Sequence, residues 1–354
     1  MSPADPSRLI AIALSGGVDS AVAAALLQEQ GHRLVGVTMT LLPDVPENSA
    51  VAQVADHLGI QLHHIDLTAS FEQQIITPFI TSYLDGETPN PCVRCNRLVK
   101  FGLLLDKARA LGADLLATGH YARLLRDADG HTHLCAAVDH RKDQSYFLAA
   151  IGQEALQQSL FPLGEMSGKE EVRQLAHRFG LPVAEAKDSQ DVCFLPDGGY
   201  ADFLASRMSG PAAQGLIVHR SGQLLGRHNG FWRYTVGQRK GLGISWSEPL
   251  YVIEVNAARN RVVVAEEPYL YAPGLLADQA VWFAQAPHAP FEARCKIRYR
   301  HAPVTCRAEP LEGTGLRVIF DEPQRAVTPG QTVVIYSADE VLGSARITGA
   351  DQPC

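Results

Sequence analysis

Leu9-Ile10-Ala11-Ile12-Ala13-Leu14-Ser15-Gly16-Gly17-Val18-Asp19-Ser20-Ala21-Val22-Ala23-Ala24-Ala25-Leu26-Leu27 is the stretch on which the fold turns. A short apolar run (9–14) meets a two-glycine turn, then an Ala/Leu-rich helix over 21–30 that Gly31 ends. The alternation continues downstream. Strands are expected at 33–39, 61–67 and 114–118, and helices at 50–58, 71–84, 95–111 and 169–179. Strands alternating with helices predict a mostly parallel, doubly wound sheet covered on both sides. Ligands bind such sheets at the carboxyl ends of the strands, where the Ser15 loop, Met39 and Gly119-His120 all fall.

Past about residue 200 the texture becomes all-β. Glycines separate short alternating runs at 215–218, 250–255, 261–264, 281–283, 294–299, 316–320, 332–336 and 340–348. Ala272-Pro273-Gly274 marks a break between two small barrels. The expected class is α/β: an N-terminal parallel-sheet domain (1–200), then two small β-rich domains (201–272 and 273–354).

The 354 residues are 46% hydrophobic and 19% charged, which suits a chain with a real core and argues against disorder. No signal-peptide pattern opens the sequence and no apolar run reaches the ~18 residues of a membrane span, so a cytoplasmic location is expected. Seven cysteines are odd in number and too few for a disulfide scaffold, so mostly reduced thiols are expected. The net charge of −7 is not that of a nucleic-acid binder taken whole. Two acid-free stretches depart from this average. Residues 203–247 hold Arg207, Arg220, Arg227, Arg233, Arg239 and Lys240, and 293–308 hold Arg294, Lys296, Arg298, Arg300 and Arg307. On a strand, the first four of the latter would share one face, a basic stripe with Cys295 and Ile297 pointing the other way. Polyanion binding is the expectation.

Glycines at 16 and 17 let backbone N–H groups approach phosphate, and the following helix points its positive end at the anion. Ser15 and Ser20 add hydroxyls. The Walker A pattern is absent and the loop has no lysine. The string S-G-G-V-D-S resembles the pyrophosphatase loop of enzymes that form an adenylate and release pyrophosphate. Asp19 is then a candidate Mg²⁺ ligand on the leaving pyrophosphate.

Cys92 and Cys95 form a C-x-x-C in Thr88-Pro-Asn-Pro-Cys-Val-Arg-Cys-Asn-Arg97, and Cys193 lies in Asp188-Ser-Gln-Asp-Val-Cys-Phe194. Structural zinc wants four ligands, and no second C-x-x-C exists. Cys95 is expected to open a helix, where the dipole, Arg94 and Arg97 would lower its thiol pKa. It is the candidate nucleophile. Cys135, Cys295 and Cys306 read as buried small hydrophobes, and Cys354 carries no such context.

Met39 together with S-G-G-V-D-S, T-P-N-P-C-V-R-C-N-R-x-V-K-F-G (88–102), A-T-G-H-Y-A (117–122), K-D-Q-S-Y-F-L (142–148), D-S-Q-D-V-C-F (188–194), Y-T-V-G-Q-R-K-G-L-G (234–243) and R-Y-R (298–300) resembles the bacterial tRNA-specific 2-thiouridylases over nearly the whole chain. Those enzymes put sulfur on C2 of the wobble uridine. The resemblance implies that Ala13, Leu14, Ser15, Gly16, Gly17, Val18, Asp19, Ser20, Met39 and Gly119 hold ATP. It implies that Cys193 carries sulfur as a persulfide from a donor protein, and that Cys95 releases it by forming a Cys95–Cys193 disulfide. Asn90, Pro91 and Cys92 would line the base, while Lys142, Asp143, Gln144, Arg298 and Tyr299 would contact tRNA. The base must leave its stack, which single-stranded anticodon bases do cheaply.

Two departures stand out. Many members have Asp where this chain has Cys92. Three thiols at 92, 95 and 193 could instead hold a four-iron four-sulfur cluster with one open iron. The segment after Met39 (TLLPDVPENS) is shorter than the family's. The alternatives are another adenylating enzyme (a 4-thiouridine or 2-thiocytidine tRNA enzyme, or an amide ligase) and a non-catalytic RNA-binding module that senses nucleotide.

Overall fold

The computed structural model describes residues 8–43, 48–186, 192–196, 199–208 and 213–351. Asp44–Glu47 of the short segment after Met39, Asp188–Asp191 of the Cys193 string, and Cys354 lie outside them.

The amino-terminal part holds strands β1 (Leu9–Ala13), β2 (Arg33–Thr40), β3 (Leu62–Asp66), β4 (Leu115–Ala117), β5 (Ala122–Arg126), β6 (Thr132–Ala136) and β7 (Ser159–Leu160). Its helices are α1 (Val18–Glu29), α2 (Ser49–Leu58), α3 (Thr68–Phe71), α4 (Thr77–Leu84), α5 (Pro91–Cys95), α6 (Leu105–Ala110), α7 (Ser145–Leu148), α8 (Gln153–Gln157), α9 (Lys169–Arg178) and α10 (Gly199–Arg207). A π-helical turn (Glu72–Ile76) joins α3 to α4, and a longer one (Asn96–Leu104) joins α5 to α6.

Five strands form one parallel sheet in the order β3-β2-β1-β4-β7. Successive strand residues point to opposite faces. Ile10 and Ile12 pack with Val22, Val54 and Val172 beneath α1, α2 and α9. Ala11, Val35 and Val37 pack on the other side with Phe71, Leu104 and Leu116. Each isoleucine is fully buried, worth roughly 1.5–3 kcal/mol. The doubly wound sheet is therefore as expected. The chain leaves β1 toward one side and reaches β4 on the other, so the crevice between their carboxyl ends is the topological switch point where such folds bind ligands.

Strands β8 (Gln214–His219), β9 (Leu224–Asn229), β10 (Leu250–Asn256) and β11 (Arg261–Glu266) make a small sheet ordered β10-β11-β8-β9. Strands β12 (Tyr271–Trp282), β13 (Phe291–Lys296), β14 (Val304–Pro310), β15 (Leu316–Arg325), β16 (Thr332–Ser337) and β17 (Glu340–Asp351) follow. They run β12-β15-β14-β13-β16-β17, and β17 returns to β12, closing a barrel around Leu275, Cys295, Cys306, Val318, Ile335 and Ile347.

One sequence expectation, the basic stripe, changes here, and two further features add to the reading. Ala272-Pro273-Gly274 lies at the start of β12, the first strand of the barrel, where the register against β15 shifts. The hairpin β5–β6 leaves the parallel-sheet domain and joins the barrel's sheet at β17, through Cys135 opposite Glu340. The basic stripe does not form, because β13 stops at Lys296, which is buried beside Asp143 (3.7 Å) instead of facing solvent.

Candidate active site

The Ser15 loop is braced by its own hydroxyls. Ser15 N–H donates to Ser20 Oγ (3.2 Å), and the Ser20 hydroxyl donates to the Gly17 carbonyl (3.1 Å). Asn48 Nδ2 donates to the Ser15 carbonyl (3.3 Å), fixing the turn from outside. Gly16 sits at φ +78°, where a side chain would be strained and would also strike Asn48. Helix α1 begins after Gly17 with no side-chain cap, which leaves its first N–H groups for an anion. Gly119, after β4, closes the far wall. A Cβ there would lie 2.8 Å from both the Asp19 carbonyl carbon and the Ser20 nitrogen, so two backbones touch at that point.

Asp19 does not stand open. Lys169, the first residue of α9, places Nζ 2.8 and 2.9 Å from its two carboxylate oxygens, and the Tyr121 hydroxyl donates to Oδ1 (2.6 Å). A Mg²⁺ taken directly onto Asp19 does not fit this arrangement, since two donors, the Lys169 ammonium and the Tyr121 hydroxyl, already hold both carboxylate oxygens through three hydrogen bonds. The phosphate cradle itself suits ATP: glycine backbone, an uncapped helix start and a nearby lysine.

Cys92, Cys95 and Cys193 come together, although about a hundred residues separate the first two from the third. Asn90 caps the cysteine helix, its Oδ1 accepting from Val93 N–H (3.3 Å), with Pro91 at the first helical position. The helix thus starts four residues before Cys95, which does not open it. Burial pushes the Cys95 thiol up to about 11, the reverse of the expected lowering. Burial likewise raises the Cys92 thiol, and partial loss of solvent around its sulfur raises that of Cys193; each of these two cysteines adds to the rise at Cys95 by charge repulsion, so the three sense one another. Cys95 is buried, Cys92 half-buried and Cys193 exposed; all are free thiols. Phe194 anchors Cys193 by packing edge-on against Phe71 (5.8 Å) and Phe79 (5.1 Å).

The cation facing these thiols is Lys100, which pulls all three thiol pKa values downward. Arg94 is turned away, donating from Nε to the Gln74 carbonyl (2.6 Å). Sequence reading missed Lys100 because α-helical spacing puts a residue five along on a different face. The π-helical run changes that, since an i→i+5 ladder makes five residues about one turn. Lys100 also repels charge on His120, which burial holds neutral, its Nδ1 2.7 Å from the Thr118 hydroxyl. A continuous path therefore runs from Asp19 through Gly119 and His120 to Lys100 and the thiols.

Among the described residues, the one trio of ligand atoms lying within 4.8 Å of one another is that of Asp127, Asp129 and His131. The cysteine sulfurs are thus not drawn tightly enough to grip a single ion. Their number and thiolate chemistry do fit the wider frame of an iron–sulfur cluster, with Cys92, Cys95 and Cys193 as the residues that would hold it.

The remaining expected contacts divide. Asp143 is buried, accepts from Ala137 N–H, Ser145 N–H and the Ser145 hydroxyl (3.1, 3.0 and 2.9 Å), and faces Lys296. It has no surface left for RNA, so its expected tRNA contact is corrected to a structural one. Gln144 Oε1 accepts from Tyr121 N–H (3.1 Å), steadying the strand exit beside the loop. Lys142, Met39, Asn90 and Tyr299 are partly exposed, while Pro91 is buried at the start of the cysteine helix. Tyr299 packs on Phe147 (4.3 Å). Arg298 Nη2 reaches the Ala326 carbonyl (2.8 Å), the Thr328 hydroxyl (2.7 Å) and the Val236 carbonyl (3.4 Å), tying the central sheet to the barrel. The barrel in turn grips the cysteine loop: Thr88 N–H donates to the Pro329 carbonyl (2.9 Å) and Arg346 pairs with Glu87 (2.7 Å). No helix among the described residues is long and apolar enough to cross a membrane.

Comparison with known proteins adds three family matches along the chain: a tRNA methyl transferase HUP domain at 8–197, a tRNA methyl transferase PRC-barrel domain at 201–266 and an aminomethyltransferase beta-barrel domain at 273–347. A tRNA-specific 2-thiouridylase MnmA from Pelobacter propionicus is 58% identical over 96% of this chain and 98% of its own length. One of the same name from Trichlorobacter lovleyi is 54% identical over the same shares. Among solved structures, a 4-thiouridine synthetase–RNA complex with bound ATP is 19% identical, covering 52% of this chain and 44% of its own, with a TM-score of 0.34.

Proposed function

The chain belongs to the tRNA-specific 2-thiouridylases, and from that premise we propose that it replaces the C2 oxygen of the wobble uridine of tRNA with sulfur, consuming ATP and releasing AMP and pyrophosphate. The observation that carries this reading is the meeting of an adenylating loop with three thiols across one strand-end crevice. A nucleotide loop alone would suit a ligase or a nucleotide sensor. A 4-thiouridine or 2-thiocytidine enzyme is the nearest alternative, and full-length relatives above 50% identity favour the C2 uridine reaction over it.

The chemistry follows from the residues. A uracil C2 carbonyl is a poor electrophile, and its oxygen a poor leaving group. ATP seats on Ser15–Ser20, with Ala13, Leu14, Met39 and Gly119 around it. The C2 oxygen attacks the α-phosphorus, the bond to the β-phosphate breaks, and the N3 proton leaves to water. The oxygen is now part of a phosphate ester of AMP. Cys193, exposed and anchored by Phe194, receives a sulfane sulfur from a donor protein. That persulfide attacks C2 and AMP departs. The buried Cys95 thiolate then attacks Cys193 Sγ. The bond from Cys193 to the transferred sulfur breaks, its electron pair stays with the uridine sulfur, and a Cys95–Cys193 disulfide forms. An external thiol reductant restores both cysteines. Lys100 favours the ionised forms that both attacks require. Asn90, Pro91 and Cys92 line the base, while Lys142, Gln144, Arg298 and Tyr299 meet the tRNA. Arg298 has Nε and Nη1 to spare for that contact. Residues 1–200 make up the adenylating domain, 201–272 the central RNA-facing domain and 273–354 the barrel, and the enzyme acts in the cytoplasm.

A second reading rests on Cys92, whose thiol responds to both Lys100 and Cys193. Cys92, Cys95 and Cys193 would hold a four-iron four-sulfur cluster, which when bound supplies an open iron for sulfide. Iron and activity of anaerobically purified Cys92→Ala separate the two: full activity without iron removes the cluster. The main proposal is tested by mass spectrometry of tRNA from cells lacking the gene. Wobble 2-thiouridine should vanish; its persistence would sink the proposal.

A further inference from the structure

A phosphate site that releases pyrophosphate needs a cation where the charge develops, and this loop has none of its own. Other nucleotide loops carry a lysine within the loop. Here the fold imports one. Lys169 lies 150 positions from Asp19, yet α9 packs on α1 through Val172 and Ala176, and this delivers Nζ onto the first turn of α1. The lysine side chain is 14% exposed and the aspartate 34%, so the pair is held at the mouth of the cradle. Tyr121 closes the third side of the carboxylate, and Tyr121 follows Gly119-His120 directly, so the far wall of the crevice also fixes Asp19.

We propose that Lys169 is the cation of the phosphate site and that Asp19 is its positioning residue, not a direct magnesium ligand. When the α–β bond breaks, its electron pair goes to the bridging oxygen of the leaving pyrophosphate, and the Lys169 ammonium faces that charge. A magnesium ion brought in with ATP would then take phosphate oxygens and water as ligands in place of Asp19. This inference rests on the proposed adenylation for its catalytic part, while its binding part stands independently.

The test uses the full-length protein and inorganic pyrophosphate as probe, by calorimetry with and without Mg²⁺, alongside tRNA-dependent pyrophosphate release. Lys169→Met should weaken pyrophosphate binding about tenfold or more and cut kcat by roughly 10²–10³, the cost of one lost donor to developing charge. Lys169→Arg should recover most of the binding. Asp19→Asn should lower kcat while leaving the Mg²⁺ concentration for half-maximal activity within about twofold, because a residue that only positions the lysine moves no metal affinity. Unchanged pyrophosphate binding by a folded Lys169→Met protein overturns the proposal. So does a large rise in the Mg²⁺ requirement of Asp19→Asn. Wild-type protein that binds pyrophosphate through Lys169 but releases none with tRNA would refute the adenylation reading and leave the binding role of Lys169 standing.

Discussion

Gly119→Ala puts a methyl group where two backbones already touch. Its Cβ would lie 2.8 Å from the Asp19 carbonyl carbon and the Ser20 nitrogen, and 3.0 Å from the Asp19 carbonyl oxygen. Comfortable carbon contacts are about 3.5–4.0 Å, so the loop or the β4 exit must retreat by roughly 1 Å. Neither can yield cheaply, since Ser20 is locked to Ser15 and Gly17, and Asp19 to Lys169 and Tyr121. Overpacking of this kind costs about 1–3 kcal/mol of stability. A catalytic group displaced by ~1 Å loses about 10²-fold in rate, or ~2.7 kcal/mol. The assay is kcat/KM for ATP in tRNA-dependent pyrophosphate release, with thermal melts in parallel. Gly112→Ala is the control: Gly112, unlike Gly119, has positive φ (+86°), and no atom lies within 4 Å of its added Cβ. It should lose ~1–2 kcal/mol of stability from backbone strain and no activity. A folded Gly119→Ala protein with wild-type kcat/KM would refute the claim that the two backbones form one rigid wall.

Cys193→Ser and Cys95→Ser should each abolish sulfur incorporation while pyrophosphate release stays within about threefold, because adenylation precedes sulfur transfer; loss of both together would place the thiols in the ATP step. Arg298→Ala should cost about 1–3 kcal/mol by orphaning the Val236 carbonyl and leaving the Ala326 carbonyl with the Thr328 hydroxyl alone, and should flatten the salt dependence of tRNA binding by roughly one unit of slope. Calorimetry and filter binding at several salt concentrations read the two effects. His133 bonds Glu340 (2.7 Å) and Asp127 (3.1 Å), which hold its pKa above the ordinary value. The folded state therefore binds that proton more tightly, so its stabilisation is full below the ordinary histidine pKa and is lost as pH rises through the raised one. Wild-type Tm should fall between about pH 6 and 8 through this residue, and His133→Gln should lack that component; equal pH profiles would remove it.

The parallel sheet was legible because its strands are buried on both faces and its helices end at glycines, signals that are local. Ser15–Ser20 was legible because the turn needs those glycines. What the sequence hid is nonlocal. Lys169 meets Asp19 through the packing of α9 on α1, which no spacing rule encodes. Lys100 was obscured because the π-helical register shifts faces by one residue. The β5–β6 hairpin lies in the sheet domain's stretch of sequence, yet pairs with the barrel at Glu340, the first residue of β17. The Cys95 thiol shifts opposite to the sequence expectation, because helix position and neighbouring arginines are visible in a sequence while burial is not. Its pKa rises to about 11 with desolvation as the leading cause. The same blindness produced the basic stripe, in which Lys296 alternates with surface arginines yet ends buried against Asp143.

The most direct measurement is the position of sulfur in tRNA treated with the purified protein, ATP and a persulfide donor, read by nucleoside mass spectrometry with fragment assignment. The account predicts 2-thiouridine at the wobble position, formed only with ATP and matched by one pyrophosphate released per sulfur. Sulfur on C4 of uridine or on cytidine would contradict it, as would pyrophosphate release with an unmodified wobble base.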